Sequence, residues 1–243
     1  MERHAVYSGT RNLYADMVTA AKSLVANSHV TDIWLLIEDD ALPYELPDGP
    51  VRFHTMDMSG QTYFDPNGPN MRSVFTYMAI IRAAYAEIFP DIDRIVSFDC
   101  DAVCVDNVDY LWEVDLQGNL WAANLEHLGT HKPYGPRYWN VGVCVYDLAA
   151  IRAEDMTRRL VDMIETTKLW CVEQDAIAST QRVLTLPERY NESAVTGYTD
   201  DPAVVHFASF GTGWRDNNRV PRREYWRKYE NMEWDEVMAC RAC

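Results

Sequence analysis

Basic residues are scarce in this chain: 22 Lys and Arg stand against 37 Asp and Glu, a formal net charge of −15. Nucleic-acid binding depends on cations that neutralise phosphates, so the balance argues against such a partner and against anionic membrane surfaces. A free nucleotide meets the same repulsion, and an anionic substrate needs a bridging cation, which carboxylates can hold. No apolar stretch reaches 18 residues and no long hydrophobic segment follows Met1–Tyr7, so neither a membrane span nor a secretory leader is expected and the chain reads as cytoplasmic. The six cysteines form no disulfide ladder, because Cys100, Cys104 and Cys144 lie in apolar strand-like runs and Cys171, Cys240 and Cys243 lie elsewhere. Cys240 and Cys243 have C-x-x-C spacing but no second pair and no βαβ setting, which favours plain reduced thiols over zinc or redox chemistry. Low-complexity tracts, internal repeats and long linkers are missing too. With 243 residues and 48% hydrophobic composition, one domain over 1–243 is expected, with 215–243 as a C-terminal helical extension.

What is present alternates between strand-like and helix-like segments, the pattern of an α/β sheet. Val6–Ser8 reads as a first strand, Gly9 as a turn, and Leu13–Ala26 as a helix, with Met17, Ala20, Ala21 and Leu24 at helical spacing. Asp32–Asp39 and Val51–Met56 read as strands, separated by a Pro/Gly loop. A helix is expected from Ser73 to Phe89, stopped by Pro90, and then the strand Arg94–Phe98. Further strands are expected at Leu120–Asn124, Trp139–Tyr146, Val183–Leu186 and Ala203–Phe207, and helices at Ala149–Lys168, Glu173–Gln181 and Arg222–Tyr229.

Asp99-Cys100-Asp101 carries the most chemistry. It closes the apolar run Arg94–Phe98, where a buried strand ends and ligands of α/β sheets gather. Side chains alternate across a strand, so these carboxylates at i and i+2 point to one side roughly 7 Å apart, a geometry that suits a divalent cation. The plainer alternative is a pair of solvated turn carboxylates. The further apolar stretch Ala102–Val105 counts against it.

These residues also carry a resemblance. Arg94–Val103, then Asp106-Asn107-Val108 and Leu111-Trp112, resemble the Asp-x-Asp segment of the family 8 retaining glycosyltransferases. Ordered matches continue through Tyr138–Val143, Glu173-Gln174-Asp175, Leu186–Asn191 and His206-Phe207 to Trp214, and reach back to Ser8–Tyr14, so the resemblance spans nearly the whole chain. It implies a GT-A type α/β fold with a mixed, mostly parallel sheet flanked by helices. It implies transfer of a hexose from UDP-glucose or UDP-galactose to an acceptor hydroxyl with retained anomeric configuration. The acceptor would be a glycan, a lipid-linked sugar or a protein. Asp99, Asp101 and His206 would hold Mn2+, with Mg2+ as the alternative; imidazole independently suits manganese better than magnesium. Without the resemblance, His206 reads as a packed or hydrogen-bonded histidine.

The same resemblance implies a nucleotide pocket from Ser8, Gly9, Thr10, Asn12 and Tyr14, joined by Asp99, Cys100, Gly211 and Trp214. Taken alone, the first five pass for an ordinary turn and N-cap. Arg82 would lie against the donor sugar and phosphates, although alone it reads as a surface charge on a helix. Asn140 and Gly142 would face the sugar and acceptor, glycine allowing close approach to backbone. Glu173 would bind sugar hydroxyls and Gln174 would lie near the anomeric carbon, the pair forming the catalytic set with Arg82. Two departures stand out: the acid is usually Asp where this chain has Glu173, and the family's Lys-Pro-Trp is replaced by Thr212-Gly213-Trp214. Arg215 and the amides of Gly211 and Gly213 are the local candidates to replace that lysine.

Two other readings compete. Asp99-Cys100-Asp101-Ala102-Val103 also fits the nucleophile motif of haloacid-dehalogenase-like phosphatases, although it falls mid-chain and only Asp200-Asp201 follow as a second pair. The missing lysine leaves room for a nucleotide-sugar binding protein with little turnover. A basic segment, Arg219–Lys228, is the one feature favouring nucleic acid. The loops Gln61–Asn70 and Gly129–Arg137 are candidate acceptor walls.

Overall fold

The structure is a computed structural model that describes residues 2–71, 76–126, 137–195, 197, 199–208 and 220–241. Strand β1 (His4–Ser8) leads through a 3-10 turn (Arg11–Leu13) into α1 (Tyr14–Ala26), then β2 (Asp32–Ile37) and β3 (Arg52–Asp57). The short helices α2 (Tyr77–Ile80) and α3 (Tyr85–Ile88), joined by a 3-10 turn (Ile81–Ala84), precede β4 (Arg94–Phe98) and β5 (Ala102–Cys104). After α4 (Tyr110–Glu113) come β6 (Trp121–Leu125), β7 (Trp139–Asp147), α5 (Leu148–Ala153), α6 (Met156–Thr166) and α7 (Val172–Ser179). Strands β8 (Val183–Thr185), β9 (Glu192–Ser193) and β10 (Val204–His206) and helices α8 (Arg223–Glu230) and α9 (Trp234–Arg241) complete the described elements.

Seven strands form one sheet in the order β3-β2-β1-β4-β7-β6-β8. Pairing is parallel from β3 through β4, antiparallel on both sides of β7, and parallel again between β6 and β8. The expected α/β fold with a mostly parallel, helix-flanked sheet is therefore present. Side chains alternate between two buried layers: Tyr7, Val96, Phe98, Val143 and Val145 pack with α1 on one face, and Val6, Ile95 and Cys144 pack with α5–α7 on the other. The chain steps outward from β1 to β2 and β3, then returns to β4 on the other flank of β1. That reversal opens a crevice beyond the carboxyl ends of β1 and β4, where ligands of open α/β sheets bind.

A second sheet, β5-β10-β9, stands at that crevice, with β10 antiparallel to β5 and parallel to β9. It brings His206 from late in the chain to the end of β4. The segment from residue 220 onward packs back on α1: Asn27 Nδ2 donates to Tyr229 Oη at 2.7 Å, Lys22 Nζ to the Met232 carbonyl at 2.6 Å, and Arg241 to the Val30 carbonyl at 2.6 Å. Among the described residues no helix is long and apolar enough to cross a membrane.

Two expectations need correction. The helix expected over 73–89 is broken into α2, a 3-10 turn and α3, and its residues 73–75 lie outside the described ones. The helix expected over 149–168 divides at Asp155, whose φ of 51° is a left-handed conformation that Asp tolerates; only then do Met156, Leu160 and Ile164 line a buried stripe.

Candidate active site

Asp99 and Asp101 are not on a continuous strand. Asp99 follows β4 directly, and Ala102 N–H donates to the Asp99 carbonyl at 3.1 Å, closing a turn that carries the chain from the large sheet to the small one. The turn points Cys100 the other way, where its Sγ donates to the Ser8 carbonyl at 3.4 Å. Asp101 is locked to β10 because the Phe207 N–H donates to its carbonyl at 3.0 Å. The result is a three-sided cluster: His206 Nε2 lies 3.3 Å from Asp99 Oδ2 and 3.2 Å from Asp101 Oδ1. The carboxylates are 24% and 29% exposed, whereas the imidazole is 5% exposed, so the cluster opens on its acidic side.

The charges of this cluster are balanced internally. Burial alone would raise the Asp99 carboxyl, but the Arg82 guanidinium and the His206 imidazole hold it well below the carboxylate range. Burial alone would lower the His206 imidazole, and Asp101 and Asp99 reverse that, lifting it to about 10. Arg82, in the 3-10 turn after α2, is buried rather than on a surface; its Nη2 pairs with Asp99 Oδ1 and its Nη1 donates to the Val141 carbonyl at 3.2 Å.

Strand β7 supplies the opposite wall. Its pairing with β6 slips between Ala123 and Asn124, and this irregularity turns Asn140 and Gly142 toward the cluster. A Cβ on Gly142 would sit 2.1 Å from His206 Cε1 and 2.7 Å from Asp99 Oδ2, so glycine is required by the site's own side chains. Asn140 is fully engaged: Oδ1 accepts from Gly142 N–H at 2.9 Å and Nδ2 donates to Glu126 at 2.9 Å.

Helix α7 begins beside Arg82. Glu173 is buried, its Oε2 has no hydrogen-bond partner among the described residues, and burial pushes its carboxyl up to about 7 despite the opposing Arg82 charge. Gln174 Oε1 accepts from Val141 N–H at 3.2 Å, tying α7 to β7. The next residue was not foreseen as important: buried Asp175 accepts from Tyr138 Oη at 2.6 Å, Trp170 N–H at 2.7 Å and Cys171 N–H at 3.0 Å. It thereby fixes the turn that presents Glu173 and Gln174. Asn191 is a second such residue, its Oδ1 lying 2.9 Å from His206 Nδ1. It ends the run Leu186–Asn191, but its proximity to His206 depends on the β9–β10 pairing.

The loop after β1 flanks the cluster on the other side. Ser8 Oγ is 3.3 Å from Tyr85 Oη, and Thr10 Oγ1 donates to Asn12 Oδ1 at 2.6 Å. Gly9 is packed against Cys100, since a Cβ there would meet its Sγ at 3.1 Å. Tyr14 is buried, and its hydroxyl donates to Asp39 at 2.7 Å while accepting from Glu38 N–H at 2.9 Å, so it braces the loop. Gly211 and Trp214, together with Thr212, Gly213 and Arg215, lie outside the described residues.

The three clustered side chains fit a divalent cation. One ligand atom from each lies within 4.8 Å of the others. An octahedral ion bound at about 2.1 Å sets neighbouring ligands about 3 Å apart, close to the spacings about His206 Nε2. Two carboxylates and one imidazole form a mixed oxygen–nitrogen set of the kind manganese and its neighbours accept.

Comparison with known proteins follows the same lines. Residues 48–218, more than two thirds of the chain, match the model of glycosyl transferase family 8. The glycosyltransferase GlyA of Streptococcus pneumoniae serotype 4 is 28% identical over 182 residues, covering 68% of this chain and 25% of that protein. The crystal structure of GlyE from Streptococcus pneumoniae superposes with a TM-score of 0.76 at 19% identity, over 98% of this chain and 62% of that one. The galactosyltransferase LgtC, solved with donor and acceptor sugar analogs, gives a TM-score of 0.72 at 19% identity, over 98% and 99%. This chain thus spans only a quarter of GlyA's length, and the structural likenesses bear on fold, which is of the GT-A type. On the extent of the family match, the chain belongs to glycosyl transferase family 8.

Proposed function

We propose that this protein transfers a hexose from UDP-glucose or UDP-galactose to an acceptor hydroxyl with retained anomeric configuration. The observation that carries this reading is the Asp99–Asp101–His206 cluster, set at the β1/β4 crevice between the polar loop after β1 and the Arg82–Glu173–Gln174 wall. A bound divalent cation, Mn2+ before Mg2+, supplies Lewis-acid stabilisation of the departing diphosphate.

The chain's own groups do the rest. Ser8, Gly9, Thr10 and Asn12, braced by Tyr14, line the uridine side. Arg82 contributes a fixed cation in a buried setting, where charge acts more strongly than in water. Glu173, with a carboxyl that titrates near 7, exchanges hydrogen bonds with sugar hydroxyls as acceptor or donor. Gln174, held by Val141 N–H, lies against the anomeric carbon, while Asn140 and Gly142 shape the sugar and acceptor side. Transfer proceeds on the face from which UDP departs, and the acceptor proton passes to the leaving phosphate. The acceptor is a glycan, a lipid-linked sugar or a protein. The free, buried Cys100, Cys104 and Cys144 fit a reducing, cytoplasmic setting.

The phosphatase reading loses ground to the family match, and its second pair is unsuited because Asp201 is exposed and engaged by Arg189 at 3.1 Å. Proton NMR of UDP-glucose and UDP-galactose incubated with the protein and Mn2+ tests the proposal. The expected first product carries the α configuration. Release of the β anomer first, or no UDP release from either donor with Mn2+ or Mg2+, would refute it.

A further inference from the structure

Behind His206 runs a chain of three polar side chains. His206 Nδ1 lies 2.9 Å from Asn191 Oδ1, Asn191 Nδ2 lies 2.9 Å from Asn140 Oδ1, and Asn140 Nδ2 lies 2.9 Å from Glu126 Oε2. The direction of every hydrogen bond in it is fixed from the far end. Backbone N–H can only donate, so Gly142, at 2.9 Å, identifies the Asn140 oxygen, and the atom that faces Glu126 is then the Asn140 amide nitrogen. Asn140 therefore offers Asn191 an acceptor, and Asn191 must answer with its own Nδ2. That leaves Asn191 Oδ1 facing the imidazole, which must present Nδ1–H to it. Nε2, the nitrogen that meets Asp99 and Asp101, is left as the ligand atom.

We propose that Asn191 is a positioning residue for the metal centre: anchored by Asn140 and Glu126, it holds the His206 ring in place and keeps the proton on Nδ1. The backbone supports the assignment. Residues Glu188–Asn191 form a 3-10 turn that feeds straight into β9, and the parallel pairing of Ser193 with His206 puts the turn's last side chain beside the ring. Asn191 also donates to the Asn140 carbonyl at 3.4 Å, so a single side chain spans β7 and β10 across the cluster. The inference rests on the metal reading of Asp99, Asp101 and His206, and concerns only what prepares the third ligand.

The test is Mn2+ binding in the presence of UDP, read as the loss of the free-ion electron paramagnetic resonance signal, on wild type, Asn191→Leu and Asn191→Asp. Asn191→Leu removes the acceptor, and its Mn2+ dissociation constant is expected to rise on the order of 10- to 100-fold, the usual cost of losing such a partner. Asn191→Asp keeps an oxygen for Nδ1–H and is expected to bind more tightly than Asn191→Leu. A second readout needs no variant to fold: in 15N-histidine-labelled wild type with Zn2+ and UDP, His206 should show a protonated Nδ1 protected from exchange. Asn191→Leu binding Mn2+ within about twofold of wild type, or a His206 proton found on Nε2 instead, overturns the proposal. Wild type failing to bind Mn2+ with UDP defeats the metal reading itself, and is seen before any variant is compared.

Discussion

Replacing Gly142 by alanine adds one methyl group at the most crowded point of the site. The new Cβ would lie 2.1 Å from His206 Cε1, 2.7 Å from His206 Nδ1 and 2.7 Å from Asp99 Oδ2. Ordinary contact begins near 3.4 Å, so the ring must retreat by more than 1 Å. The backbones cannot absorb this, because Gly142 belongs to β7, whose carbonyl here accepts from Asp99 N–H at 2.6 Å, and His206 is held in β10 between β5 and β9. The ring must swing, giving up Asn191 and its approach to both carboxylates. Overpacking of this kind costs about 1 to 3 kcal/mol, a fall in Tm of roughly 3 to 10 °C for a chain this size. The site should suffer more: a ligand displaced by about 1 Å predicts a loss on the order of 100-fold in UDP release from the donor. Differential scanning fluorimetry and a coupled UDP assay read both effects. A Gly142→Ala protein with a Tm within about 1 °C of wild type and UDP release within about twofold would refute the packing argument.

Other expectations follow from the same geometry. Burial would raise the Asp32 carboxyl, but hydrogen bonds from Arg52, His54 and Thr31 hold it at about 2, below the ordinary carboxylate range. A depressed pKa contributes stability above the unfolded value and loses it as pH falls. Asp32 should therefore add about 2 kcal/mol near pH 6, with about half gone by pH 3, and urea unfolding of wild type against Asp32→Asn should show that gap narrowing. Tyr138→Phe removes the 2.6 Å donor to buried Asp175 and should cost about 1 to 3 kcal/mol in urea unfolding while slowing UDP release through a loosened α7. Trp234→Ala removes the edge contact with Phe53, with ring centroids 5.3 Å apart, and the 3.2 Å bond to the Glu45 carbonyl. It should lose about 2 kcal/mol of stability and leave UDP affinity unchanged, since α9 packs on α1 rather than at the crevice.

The sequence made the site legible where its chemistry is local. Asp99 and Asp101 close an apolar run of the kind that marks a buried parallel strand, and the strand order then puts that end at the β1/β4 reversal. What periodicity could not supply was backbone departure from regular structure. The tight turn at Asp99–Ala102 replaces the straight strand that i, i+2 spacing suggested, and the left-handed Asp155 breaks a helix whose apolar spacing looked continuous. In α9, Trp234, Val237 and Met238 stand at i, i+3 and i+4, and that face packs on the α1 side of the core. Asn191 and Asp175 stayed silent for a different reason. Their partners, His206 and Tyr138, are 15 and 37 residues away, and only the small sheet and the β7–α7 contact bring them together.

Thermal unfolding with UDP, with and without Mn2+, on wild type and Asp101→Asn tests the central claim most directly. Near 100 times its dissociation constant, UDP should add about 2.7 kcal/mol, a rise of roughly 5 to 10 °C. The account predicts that this rise requires both Mn2+ and an intact Asp101. An equal rise in Asp101→Asn, or no rise in wild type with any divalent metal, would contradict it.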